Sequence, residues 1–247
     1  MKRISIVFCL ILTTILSAAD GINYDAAFLK SLEWGSLHMA EVFLDKGADA
    51  GTLDAQGNSA LMQAARSGMT DFARMLVRRR VDVNQRNKDG YTALIFACEN
   101  GSSEIVSMLL AAGVPARERS PDQPMPLIAA AYHGHPEVVR LLLEHGAGVD
   151  DRDRSRKTAL MYAAQQGHVP VVDLLIAAGA DIRAKNRAGV PVLSFAAWGG
   201  NLQIVRRLLE MGVEVNQTDA FGATPLSTAD KQGHTNVAEL LKRHGAR

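Results

Sequence analysis

The sequence predicts an all-α solenoid, a stack of helix–turn–helix units joined by projecting turns, and two residue series predict it. Glycine recurs at Gly35, Gly68, Gly101, Gly134, Gly167, Gly200 and Gly233, a constant spacing of 33 residues. At the same spacing stand Leu61, Leu94, Leu127, Leu160, Leu193 and Leu226, each followed at the third position by Ala64, Ala97, Ala130, Ala163, Ala196 and Ala229. Self-similarity at a fixed period of this length is the signature of a repeat architecture.

Each part of the unit has a physical reason. The Leu and Ala of one repeat share a face of a short first helix, and the small Ala lets neighbouring helices approach closely. The recurrent Gly suits a tight link between helices, where a positive φ is often needed. A second helix follows, with apolar residues at helical spacing, such as Ile105, Val106, Leu109 and Leu110, or Val138, Val139, Leu142 and Leu143. It ends at a second glycine series, Gly47, Gly113, Gly146, Gly179, Gly212 and Gly245, interrupted by Arg80. A polar turn such as Asn87-Lys88-Asp89-Gly90 or Asp219-Ala220-Phe221-Gly222 leads to the next Leu. About seven units result, near 21–53, 54–86, 87–119, 120–152, 153–185, 186–218 and 219–247.

The amino-terminal residues differ in kind. Lys2 and Arg3 precede an apolar run from Ile4 to Leu16, followed by Ser17, Ala18 and Ala19. This is the pattern of a secretory signal over 1–19, with cleavage expected after Ala19. The run is shorter than the roughly 20 residues a membrane-spanning helix needs. An exported protein follows as the expectation, periplasmic first and extracellular as the alternative, with no membrane insertion after cleavage and a repeat domain over 20–247. Cleavage would also remove Cys9 and leave Cys98 alone, so stability has to come from packing rather than a disulfide.

Composition narrows the function. The chain is 47% hydrophobic and 21% charged, which excludes a disordered or collagen-like protein. Without Lys2 and Arg3 it carries 25 cationic against 26 anionic residues. A nucleic-acid binder usually shows a basic excess, so none is expected as partner.

At the level of motif the unit resembles the ankyrin repeat, whose pattern is D-x-x-G-x-T-P-L-H-x-A-A-x-x-G-H. Asp219, Gly222, Thr224, Pro225, Leu226, Ala229, Gly233 and His234 match it closely. Lys88-Asp89-Gly90-Tyr91-Thr92-Ala93-Leu94 and Lys157-Thr158-Ala159-Leu160-Met161-Tyr162-Ala163-Ala164 match a T-A-L variant. The resemblance implies an elongated solenoid with a concave face made by the first helices and the projecting fingers. Three departures stand out. Met62, Ile95, Ile128, Met161, Ser194 and Ser227 replace the family's His after the Leu, which implies lost hydrogen bonds and less rigid fingers. Pro121, Gln123, Pro124 and Pro126 in one finger, and Arg156 at the Gly position of the next, imply two irregular central fingers. The first repeat has no recognisable finger and the last stops early, as capping units do.

Catalytic chemistry has little support. His135, His168 and His234 stand where the resemblance places a structural His, and the His133-Gly134-His135 pair lacks a third ligand. Ser194 and Ser227 sit in no nucleophile motif, phosphate-binding glycine clusters are missing, and Cys98 occupies an Ala position. No enzyme activity, cofactor or metal is expected.

A protein partner of unknown identity is expected instead, bound by a monomer. Ankyrin domains commonly meet ligands on the fingers and the ends of the first helices. That surface here carries Trp34, Arg66, Tyr91, Glu99, Tyr132, His133, Gln165, Trp198 and Lys231, with Asn58, Lys88, Asp89, Arg154, Lys157 and Phe221 on the fingers. Trp and Tyr most often dominate interface energy, which centres the expected groove on Tyr91, Tyr132 and Trp198. A dedicated inhibitor or immunity-type protein for one exported enzyme, or an effector acting on a host protein, is the alternative. The mixed-charge stretch 150–157 reads as a solvated finger with local ion pairs.

Overall fold

The computed structural model describes residues 23–117 and 125–247. The expected signal at 1–19, and Pro121, Gln123 and Pro124 of the fourth finger, lie outside the described residues.

Fourteen helices are present among the described residues, arranged as seven pairs. The pairs are α1 Tyr24–Glu33 and α2 Leu37–Asp45, α3 Ala60–Arg66 and α4 Thr70–Arg78, α5 Ala93–Asn100 and α6 Ser103–Ala111, and α7 Pro126–His133 and α8 Pro136–Glu144. They continue with α9 Ala159–Gln166 and α10 Val169–Ala177, α11 Val192–Gly199 and α12 Leu202–Glu210, and α13 Pro225–Gln232 and α14 Thr235–Arg243. The chain divides into two compact units, one ending at Ala93 and one beginning at Leu94. In the first unit α1 packs on α2 and α3, and α3 on α4. In the second, the first helices α7, α9, α11 and α13 form one row, and the second helices α6, α8, α10, α12 and α14 form another.

Local chemistry starts and stops these helices. Ser59 and Thr158 cap α3 and α9 by accepting the Met62 and Met161 amides at 3.3 and 3.4 Å. Thr224 and Ser227 make a reciprocal capping box at α13. Pro126 and Pro225 stand at the first turns of α7 and α13, where a missing N–H costs nothing. All seven inter-helix glycines have φ between +64° and +80°. At five of them the residue after the glycine donates its N–H to the carbonyl of the recurrent Ala, as from Met69 to Ala64 at 2.8 Å, His168 to Ala163 at 3.0 Å and His234 to Ala229 at 2.9 Å. The Ala and Gly series are thus two parts of one helix-ending bond.

Burial follows the repeat. Leu61, Leu94, Leu127, Leu160, Leu193 and Leu226 and their Ala partners are all buried, as are Ile105, Val106, Leu109 and Leu110 of α6. Of the apolar residues on α8, Val138, Val139 and Leu142 are buried and Leu143 is half-buried.

The fingers differ from expectation in two ways. Fingers that lack the family's His still hold a local set of bonds, made by an Asp or Asn at the finger's start. Asp54 accepts the Gln56 and Asn58 amides at 2.9 and 2.8 Å, Asn87 those of Asp89 and Tyr91 at 3.0 and 2.8 Å, and Asp219 those of Phe221 and Ala223 at 2.8 and 2.9 Å. Burial by itself would raise the Asp54 pKa, but these bonds, with those from Asn58 and Gln63 side chains, outweigh it and hold the carboxyl below its ordinary range. The finger with Arg156 is also regular. Its arginine adopts the glycine conformation, φ +59°, while Asp153 N–H donates to Lys157 C=O at 3.1 Å and Asp153 Oδ1 accepts the Lys157 amide at 2.8 Å. Backbone preference yielded here to the turn's hydrogen bonds. Fingers also join edge to edge, with Lys88 N–H to Gln56 C=O at 3.2 Å in the first unit. In the second unit Arg187 N–H reaches Ser155 C=O at 2.8 Å and Ala220 N–H reaches Ala188 C=O at 2.9 Å.

Arg80, in the second glycine series, has φ +58°. A residue with a Cβ is disfavoured there by roughly 1–2 kcal/mol. Arg80→Gly relieves that strain at some cost in unfolded-chain entropy, and the net expected is about 0.5–1 kcal/mol of added stability. A urea titration checks it; a lower midpoint would show that Arg80 holds the helix end by other means.

Candidate partner-binding face

The ends of the first helices in the second unit are fixed by a ladder of histidines. His135 Nε2 meets the Glu99 carbonyl, His168 Nε2 that of Tyr132, and His234 Nε2 that of Trp198, each at 2.9 Å. Each ring lies over the inter-helix glycine of the preceding repeat. A Cβ on Gly101, Gly134 or Gly200 would come within 2.5–2.6 Å of the ring of His135, His168 or His234. Asn201 takes the place of His in its own repeat, its Nδ2 donating to the Gly167 carbonyl at 3.2 Å. These histidines are structural, as their place in the repeat implies. His168→Ala removes one link between consecutive repeats and leaves a carbonyl to water, at a cost of roughly 1–2 kcal/mol. Urea denaturation of the variant measures this, and an unchanged midpoint would show that the ladder adds nothing to stability.

With its carbonyl held, each helix end presents its side chain outward. Tyr132 is 43% exposed and Trp198 50% exposed. Tyr132 meets the Tyr162 ring edge-on at 5.8 Å and the His133 ring at 5.0 Å. His133 itself is exposed and stacks on His135 at 6.2 Å. Tyr162 turns toward its finger and donates its hydroxyl to Asp153 Oδ2 at 2.8 Å. Burial, then that hydrogen bond and the carboxylate's charge, push the Tyr162 pKa well above the ordinary range, so it remains a neutral donor. The Lys157 ammonium lies 4.9 Å from the centre of the Tyr162 ring and 5.3 Å from that of Phe195.

Neither Tyr162 nor Phe195 was among the candidates read from the sequence. A signal for them exists, because the position two residues after the recurrent Leu holds Gln63, Phe96, Ala129, Tyr162, Phe195 and Thr228. It varies from repeat to repeat and takes three aromatics.

Other candidates fall on the same helix ends. Gln165 is half-buried, and its carbonyl lies so close to Gly199 that a Cβ there would sit 2.2 Å away. Any side chain at 199 would separate α9 from α11, the neighbours that carry Tyr162 and Trp198. Lys231 is exposed near the end of α13, and Glu99 is half-buried near the end of α5. Phe221, at the tip of its finger, is 87% exposed.

Trp34, Arg66 and Tyr91 belong to the first unit. Trp34 caps α1 and is 45% exposed, while Arg66 is the exposed last residue of α3. Tyr91 is half-buried at the base of its finger. There Asn58 is buried and accepts the Asn87 Nδ2 hydrogen at 2.8 Å, and Lys88 Nζ donates to the Ala55 carbonyl at 2.7 Å. Asp89 is exposed. The structure assembles Tyr132, His133, Tyr162, Lys157 and Phe195 by direct ring contacts, and places Trp198 on the adjacent helix end.

Cys98 and Ser194 are withdrawn into the core, while Ser227 is exposed. Cys98 is fully buried, and that burial, with the nearby Glu99 charge, pushes its thiol pKa far up. Ser194 is buried, and among the described residues its hydroxyl has no hydrogen-bond partner to act as a base. Among the described residues no group of three or more His, Cys, Asp or Glu is placed to hold a metal ion, and no helix is long and apolar enough to cross a membrane.

The family profile described as "Ankyrin repeats (3 copies)" matches residues 26–116 and 110–186, and that described as "Ankyrin repeats (many copies)" matches 180–229. No curated protein matches the chain. Among solved structures, the crystal structure of the human ASB11 ankyrin repeat domain superposes with a TM-score of 0.81. The match covers 89% of this chain and 98% of that domain, at 24% identity, which establishes a shared fold. Repeat period, helix pairs, fingers and family profiles agree, and the chain belongs to the ankyrin-repeat family.

Proposed function

We propose that this protein captures a partner protein on the finger side of its first helices, in the bacterial cell envelope or outside the cell, without catalysing a reaction. Ankyrin-repeat domains are protein-interaction modules, which supplies the class of function. The observation that carries the reading is the exposure of Tyr132 and Trp198 on helix ends whose backbones are already held by His168 and His234. Stacking makes no use of the outer half of these side chains. Large, half-desolvated aromatics of this kind are the usual anchors of a protein interface, burying much area with few rotatable bonds. The exported address draws its support from Lys2, Arg3 and the apolar run that ends in Ser17, Ala18 and Ala19.

A photo-crosslinking amino acid tests the face in cells producing the full chain. Placed at Gln166, the exposed end of α9, it is expected to join the protein to a discrete partner. At Glu210, the exposed end of the second helix α12, it is expected to give no such product. Products from Glu210 alone would move the interface to the opposite row of helices, and none from either position would remove the support for capture by this unit.

A further inference from the structure

Charge is concentrated on two adjacent fingers. Segments 152–157 and 183–187 together hold Arg152, Arg154, Arg156, Lys157, Arg183, Lys185 and Arg187 against Asp153 alone. The chain as a whole is balanced, 27 cationic to 26 anionic residues, so this is a local excess. With the flanking Asp150, Asp151 and Asp181 counted, 150–157 and 181–187 hold seven cations against four carboxylates, and each carboxylate has a partner. Asp150 accepts the Asp181 amide at 3.0 Å, Asp151 pairs with Arg117 at 2.6 Å, Asp181 accepts the Arg183 amide at 2.9 Å, and both oxygens of Asp153 are taken by Lys157 N–H and Tyr162.

Among the described residues, Arg156, Lys157 and Arg187 have no carboxylate partner. Arg156 and Arg187 are exposed at neighbouring finger tips, joined through the Arg187 N–H bond to Ser155. The Lys157 ammonium rests on the Tyr162 and Phe195 rings. Arg156 moreover holds a left-handed conformation, φ +59°, at the position where four other fingers place Gly57, Gly90, Gly189 and Gly222. Such strain persists where the surrounding structure or a function requires the side chain. The finger's backbone bonds would accept glycine equally well, so folding does not require an arginine.

We infer that the partner meets this face with an acidic polypeptide segment, its carboxylates held by Arg156, Lys157 and Arg187 and its apolar side chains against Tyr132, Tyr162 and Trp198. The inference rests on the capture function proposed above and adds the partner's chemistry. A lysine over the half-buried Tyr162 ring, which itself meets the exposed Tyr132, fits a chain that alternates carboxylate and apolar groups. Two fingers' worth of charge on an otherwise neutral molecule does not make the extended basic stripe that nucleic acid selects.

The test is fluorescence anisotropy of the full chain with three dye-labelled probes: a Glu–Leu alternating dodecapeptide, its Lys–Leu counterpart and a single-stranded DNA dodecamer. Only the Glu–Leu peptide is expected to bind, more weakly as salt rises. Combining Arg156→Gly, Lys157→Met and Arg187→Gln is expected to weaken it at least about tenfold. Arg156→Gly alone restores the residue usual in the turn. It is expected to raise the melting temperature while weakening the peptide, a combination that a merely structural role would not give. Equal binding of the two peptides, DNA binding as tight as the Glu–Leu peptide, or an unaffected triple variant would each overturn the inference. If crosslinks from Gln166 persist while the Glu–Leu peptide fails, capture stands and the acidic assignment falls; if both fail, the capture reading falls as well.

Discussion

Contact between consecutive repeats is the interaction on which the rest depends. A helix pair of this length cannot bury its own apolar side. Leu160 and Ala163 are covered because α9 lies between α7 and α11. The requirement explains the smallness of the Ala series and the close approach at Gly199, where any Cβ would meet the Gln165 carbonyl. The histidine ladder follows from it too. Once first helices lie side by side, the residue opening each second helix stands over the previous repeat's glycine and can satisfy a carbonyl that the helix end leaves open.

Stacking therefore divides the chain's residues between two tasks. Buried positions and the backbone of the helix ends belong to the stack, while the side chains that leave the helix ends and finger tips do not. In the second unit those free positions hold aromatics and cations together. Tyr162 connects the two groups, because its ring supports Lys157 and its hydroxyl donates to Asp153 of the finger. Withdrawal of Cys98 and Ser194 into the core fits the same division, since both occupy repeat positions that serve packing.

Much of this was legible in the sequence, for identifiable reasons. Glycines with positive φ, buried Leu and Ala, and structural His135, His168 and His234 are local demands repeated at one period, so their spacing carried the information. The Arg156 finger was misread because glycine is the cheapest residue for that conformation. The hydrogen bonds of Asp153 nonetheless impose it on an arginine. Tyr162 and Phe195 were overlooked because their importance arises between repeats, from a lysine of one unit lying over rings of two. Trp198 and Tyr132 lie exposed at the helix ends to which their place before the inter-helix glycine assigns them. The contact of Tyr132 with Tyr162 depends on packing that no periodicity encodes.

The central claim is that the exposed aromatics are not part of what holds the stack together, and the unfolding free energy of Trp198→Ala tests it most directly. The account predicts a loss below about 1.5 kcal/mol, since half the side chain already faces water and the Trp198 carbonyl bond to His234 is unchanged by the substitution. A loss of roughly 3–5 kcal/mol, the cost of emptying a core tryptophan site, would show that Trp198 serves the stack and would contradict the binding face built around it.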